Sequence, residues 1–141
     1  MRFEHSTEIA APAATVWHLT TDVERWPSLF PTVTSVQRET PGELSVGSTA
    51  LIKQPGQKAT QWTVTAIEPE HRFEWEASVY GVRTVARHLI EPTATGATNT
   101  LVLELSGRGA GVMGRLVGRK LRKVLASEND GFRRAAELAL T

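Results

Sequence analysis

Residues 72–79 read Arg72-Phe73-Glu74-Trp75-Glu76-Ala77-Ser78-Val79. Phe73, Trp75, Ala77 and Val79 take every second position, with Arg72, Glu74, Glu76 and Ser78 between them. A period of two sets the first group on one face of a strand and the second on the other. A strand with one apolar and one charged face belongs to an antiparallel sheet covered on one side and wet on the other. This segment therefore predicts a half-buried antiparallel sheet and says which of its faces looks inward.

The flanking segments continue the pattern. Gly81 allows a tight turn into a strand from Val82 to Glu91, with Val82, Thr84, Ala86, His88 and Ile90 inward. The opposite register would bury Arg83, Arg87 and Glu91, which is costly for unpaired charges. Upstream, "QPGQ" at 54–57 places proline and glycine as a type II turn needs them. The strand after it, Ala59 to Ile67, turns Trp62 and Val64 inward. Arg2 to Ala10, Val33 to Glu39, Ser48 to Gln54 and Thr100 to Leu105 read as four more strands, and Pro92 to Asn99 as a polar loop.

Two short helices fit between the first strand and the rest. Pro12 suits a helix's first turn, where its missing N–H costs nothing. Asp22 is placed to cap a second helix that ends at Trp26-Pro27. Trp26, Leu29 and Phe30 then stand in a proline-broken segment, where they can lie over the open end of a cavity between sheet and helix.

From Val112 to Leu140 the period changes to that of a helix, with Met113, Leu116, Val117, Leu121, Val124, Leu125, Phe132, Ala135, Ala136 and Ala139 on the apolar side. Such a helix is about 40 Å long, and Gly131 is its weak point, where a bend is expected. The whole is an α+β chain, one domain over residues 1–141: a curved antiparallel sheet of about seven strands, two short helices after the first, and one long C-terminal helix.

Composition narrows the function classes. There is no cysteine, so neither disulfides nor thiolate metal sites exist. His5, His18, His71 and His88 lack ligand spacing, so no metal is expected. No segment approaches the ~20 apolar residues of a membrane span, and the N-terminus lacks the apolar run of a signal peptide; a cytoplasmic protein, monomer or homodimer, without integral membrane association is expected. Residues 107–141 carry eight Lys/Arg against three acids, net +5, against −4 for the remainder. That basic helix lacks interleaved aromatics, so no nucleic-acid partner is expected. "GAGVMG" at 109–114 fits G-x-G-x-x-G, but no strand follows its helix, so the βαβ unit of a dinucleotide site cannot form. No cofactor is expected, and these glycines read as a flexible entry to the long helix.

The order of elements, with "EIAAPAATVWHLTTDVERWP" at 8–27, "QPG" before "WTV", "FEW" at 73–75 and "ARHLIEP" at 86–92, resembles the START-like superfamily known as SRPBCC, and within it the polyketide cyclase/dehydrase-type proteins. The resemblance covers nearly the whole chain and implies a helix-grip fold with an apolar cavity between sheet and long helix. Members bind lipids and other hydrophobic molecules, cyclise polyketides, or assist other proteins. The matching motifs are structural and carry no catalytic signature.

Strand alternation then gives the expected cavity wall: Trp62, Trp75, Val79, Thr84, His88, Leu103, Leu121, Val124 and Phe132, with Trp26, Leu29 and Phe30 as gate. The two inward tryptophans either border a ligand or fill the core. His88, the one histidine on the inner face of a central strand, is the candidate proton carrier; the alternative is a core histidine bonded to a backbone carbonyl or hydroxyl. Glu128 either reaches the pocket or, as is commoner for glutamate, faces water. Three functions stay open: a binding module for a small hydrophobic or polyketide-like molecule, a cyclase or dehydratase using the same cavity, and an interaction protein docking an acidic partner through Arg115, Arg119, Arg122 and Lys123.

Overall fold

A computed structural model describes residues 1–139. Seven strands form one sheet: β1 (Arg2–Ile9), β2 (Ser35–Arg38), β3 (Thr49–Lys53), β4 (Thr60–Glu68), β5 (Arg72–Val79), β6 (Val82–Thr93) and β7 (Gly96–Ser106). Their spatial order is β1-β7-β6-β5-β4-β3-β2, every pair antiparallel. The two edge strands are joined in sequence by α1 (Ala13–Thr21), a 3-10 turn over Val23–Arg25 and α2 (Trp26–Leu29), and α3 (Ala110–Leu138) ends the described chain. This is the curved sheet and long C-terminal helix of a helix-grip fold.

The inward faces fall where alternation puts them. Phe73, Trp75 and Ala77 on β5, and Val82, Thr84, His88 and Ile90 on β6, are buried, while Ser78 and Arg83 are exposed. Glu74 departs from its expected contact with water. It lies on the outer face but is only 9% exposed, because Arg72 and Arg87 close over it and Arg87 pairs onward with Glu104. The outer face is thus laced by ion pairs running across β5, β6 and β7.

Four expectations are corrected. Residues 92–99 are not a loop: β6 and β7 run on to a two-residue turn, with Thr93 opposite Gly96. Pro92 is tolerated because β5 begins at Arg72, opposite Leu89, so no strand on that side asks for its missing N–H. Trp26-Pro27 opens α2 rather than ending a helix, with proline in its first turn. Asp22, expected as a cap, precedes the 3-10 turn and makes no side-chain capping bond. Finally, α3 runs unbroken through Gly131, and the expected end at Leu140 lies outside the described residues.

Gly131 is explained by proximity. A β-carbon there would stand 2.5 Å from the Leu29 carbonyl oxygen and 2.7 Å from the Phe30 ring. Gly114 and Gly118 serve the same purpose further up the helix, where a side chain would collide with Met1 or crowd Phe3 of β1. The helix therefore presents three stripes. Gly114, Gly118 and Asn129 lie against β1 and β7, an apolar stripe faces the sheet's hollow, and Arg115, Leu116, Arg119, Arg122 and Lys123 are exposed. Leu116, expected on the apolar side, is 79% exposed.

One buried polar cluster fixes the helix. Asn129 accepts a hydrogen bond from the Asn99 amide at 2.8 Å, and its own amide donates to the His5 carbonyl at 2.9 Å. Both asparagines are wholly buried. A buried network of this kind favours one helix position over sliding alternatives, since any shift leaves several polar groups unpaired.

Candidate functional site

The hollow follows from where α3 rests. It packs on β1, β7 and α1, and α1 reaches over part of β6, which leaves the inner face of β4 and β5 the least covered by helix. Between them lies a cavity of ≈ 250 Å³. Trp62 (β4), Trp75 and Val79 (β5), Thr84 and His88 (β6) and Leu103 (β7) line its sheet side. Met113, Val117, Leu121, Val124 and Glu128 line it from successive turns of α3. Gln54, Gln57, the exposed Tyr80 and Lys120 stand at its rim.

Trp26 closes the deep side. Its ring centroid is 5.3 Å from that of Trp75, edge to face, and 5.3 Å from that of His88. Its indole N–H donates to the Leu19 carbonyl at 3.2 Å, which ties α2 to α1. Trp62 and Trp75 adjoin with centroids 5.8 Å apart, and their indole N–H groups have no acceptor among the described residues. Three indoles thus supply most of the flat apolar surface, the type of wall that accepts planar apolar molecules.

Leu29, Phe30 and Phe132, which sequence alone puts on the cavity, do not line it. Phe132 is fully buried behind it, its ring 5.2 Å from Phe30, 6.0 Å from Trp26 and 5.8 Å from His88. Leu29 and Phe30 sit over Gly131 of α3. Phe30 and Phe132 pack on Trp26, and of the expected gate only Trp26 touches the cavity.

His88 borders the cavity within an aromatic box of Trp26, Phe73 and Phe132. Its Nδ1 is buried with no hydrogen-bond partner among the described residues. Burial pushes the imidazole down to about 4, so the ring is neutral near pH 7. The expected core alternative, a ring bonded to a carbonyl or hydroxyl, is therefore not what is found. Thr84 spends its hydroxyl on the Val82 carbonyl at 3.3 Å.

Glu128 lines the cavity rather than facing water. The Thr32 hydroxyl donates to its Oε2 at 3.0 Å, and Thr32 is held in turn by the Gln54 amide on its carbonyl at 3.4 Å. Desolvation raises the carboxyl to about 7, against a smaller lowering effect of the Thr32 bond. The signal was present in the sequence: Glu128 continues the Met113–Val117–Leu121–Val124 stripe at helical spacing. Among the described residues, no group of three His, Cys, Asp or Glu is placed to hold a metal, and no helix is long and apolar enough to cross a membrane.

The model of the family described as "Polyketide cyclase / dehydrase and lipid transport" matches residues 1–137. The chain belongs to that family. A family relative, the granaticin polyketide synthase bifunctional cyclase/dehydratase of Streptomyces virginiae, is 32% identical over 109 residues, which is 74% of this chain and 36% of that protein. The chain thus spans about a third of that relative's length. The fold is shared with the protein TTHA0849 of Thermus thermophilus at a TM-score of 0.79 and 16% identity, covering 100% of both chains. It is shared also with the di-domain ARO/CYC StfQ of the steffimycin biosynthetic pathway, at a TM-score of 0.75 and 14% identity, covering 99% of this chain and 51% of that one.

Proposed function

We propose that this protein binds a small, flat, hydrophobic molecule in the cavity between sheet and α3. The carrying observation is that Trp26, Trp62 and Trp75 border a hollow of ≈ 250 Å³. That volume lies just under the ~300–1,000 Å³ of pockets for drug-sized ligands, which suits a compact ring system. Family membership and the cyclase/dehydratase relative support a polyketide-like or lipid-like guest. Titrating the protein with 2-ethylnaphthalene while following tryptophan fluorescence tests the reading. Saturable quenching is expected, and native mass spectrometry is expected to find a co-purified small molecule. No binding up to the solubility limit of the probe would overturn it.

A second reading is favoured by two titratable side chains, His88 and Glu128, on one apolar hollow. In it the cavity folds a flexible carbonyl compound into a near-attack shape, and a neutral His88 takes up the proton released on enolisation. On a demonstrated substrate His88→Gln would lower kcat by roughly 10²-fold or more, the contribution of a general base. Unchanged turnover would remove His88 from the reaction.

A further inference from the structure

We propose that Glu128 is the polar anchor of the cavity and hydrogen-bonds a carbonyl oxygen of an uncharged aromatic guest. The inference rests on the binding reading above and adds the chemical class of the ligand. It starts from which polar groups remain unspent. Trp26 N–H is committed to Leu19 and the Thr84 hydroxyl to Val82. His88 Nδ1 is sealed from solvent and from the cavity alike. The Trp62 and Trp75 indole N–H groups, also without an acceptor among the described residues, donate at every pH, so a preference that fades as pH rises is the mark of Glu128. Glu128 differs: Oε2 is held by Thr32, Oε1 has no partner among the described residues, and part of the side chain stays accessible while lining the hollow. The Thr32 bond fixes the carboxyl's orientation, and Gln54 fixes Thr32. Oε1 is therefore a positioned polar atom on a mostly apolar wall.

The charge state follows from the surroundings. The titratable or charged groups that border the cavity are His88 and Arg87 on β6, Lys120 on α3 and Tyr80 at the β5–β6 turn. His88 is neutral. The Arg87 guanidinium is engaged by Glu74 and Glu104 on the outer face. Lys120 and Tyr80 are exposed. None of them acts on the Glu128 carboxyl, whose raised value comes from desolvation, opposed only by Thr32. With no cation at hand, the group keeps its proton to near neutrality and is a donor, so its natural partner is an uncharged acceptor oxygen. A protonated amine would instead require an ion pair inside an apolar hollow, where desolvation of both charges opposes binding.

The test compares 2-acetylnaphthalene, 2-ethylnaphthalene and 2-naphthylmethylammonium by equilibrium dialysis between about pH 6 and about pH 8, spanning the Glu128 titration. The acetyl compound should bind about three- to tenfold tighter than the ethyl compound at the acid end, the usual range for one hydrogen bond. That preference should fade as pH rises. Glu128→Leu should abolish the difference between the acetyl and ethyl compounds, and Glu128→Gln, whose amide donates at every pH, should keep it without pH dependence. The unsubstituted protein gives the pH series even if a variant fails to fold. Equal binding of acetyl and ethyl probes, a preference surviving in Glu128→Leu, or an ammonium probe that binds best and tightens with rising pH would each overturn the anchor while leaving the binding reading intact. Absence of binding by all three probes would overturn both.

Discussion

Gly131 of α3 sits directly beneath the Leu29 carbonyl, at a distance that leaves no room for a methyl group. The tight contact joins the segment that crosses from one sheet edge to the other to the helix that closes the fold. Gly131→Ala is expected to destabilise the protein by about 1–3 kcal/mol through overpacking, although alanine is the better helix former by about 1 kcal/mol. Urea unfolding measures the loss. Because Trp26 opens α2, its fluorescence should shift as well; a variant as stable as the parent would show that α2 gives way freely.

Glu128 and His88 should drive stability in opposite directions with pH. Between its ordinary 4.5 and about 7, Glu128 is ionised in the unfolded chain and protonated in the fold, so rising pH destabilises. Between about 4 and its ordinary 6.5, His88 is protonated in the unfolded chain and neutral in the fold, so falling pH destabilises. Each is worth up to about 3 kcal/mol, and over the shared window they largely cancel. Relative to the parent, Glu128→Gln should gain stability as pH rises from about 4.5 to about 7. His88→Gln should gain it as pH falls from about 6.5 to about 4. Parallel profiles for parent and variants in chemical denaturation would contradict both assignments.

Asn129→Ala should be among the most damaging changes away from the cavity. It strips the Asn99 amide and the His5 carbonyl of a buried partner at once. A cost of about 1–3 kcal/mol is expected for a stranded buried polar group. Hydrogen exchange should quicken in β1 and α3 together, since the cluster joins them.

Tyr80 stands in the left-handed backbone region at φ 51, next to Gly81 at φ 78, and is 78% exposed. A bulky residue there costs about 1 kcal/mol or more. Tyr80→Asn is expected to raise stability by about 0.5–1 kcal/mol in thermal unfolding. Because Tyr80 stands at the cavity rim, it should also change the on-rate of an apolar probe; a variant that gained stability with unchanged probe kinetics would confine the residue's role to the turn.

The sheet was legible because period-two alternation in β5 and β6 carries both register and facing. Turns were legible where Pro or Gly had to stand. Residues 92–99 misled because a proline in a strand is harmless only when the neighbouring strand has already ended, which is a fact of tertiary register. Of the expected gate Trp26, Leu29 and Phe30, only Trp26 touches the cavity, and local sequence cannot say that Gly131, about a hundred residues later, would take up the other two. Glu128 was hidden for a related reason: its stripe on α3 was visible, but an acid on a helix is usually wet, and only the helix's rest position on β1 and β7 turns that stripe inward. The Asn99–Asn129 cluster gave no local sign at all, since both residues read as ordinary polar surface.

The three stripes of α3 divide labour between different side chains. Glycines and Asn129 dock the helix, while Val117, Leu121 and Val124 shape the vacant volume. Substitutions on the second set can enlarge, narrow or reshape the interior without loosening the first. A lineage carrying this scaffold can therefore recast its interior by a few aliphatic exchanges on one helix and keep its architecture throughout.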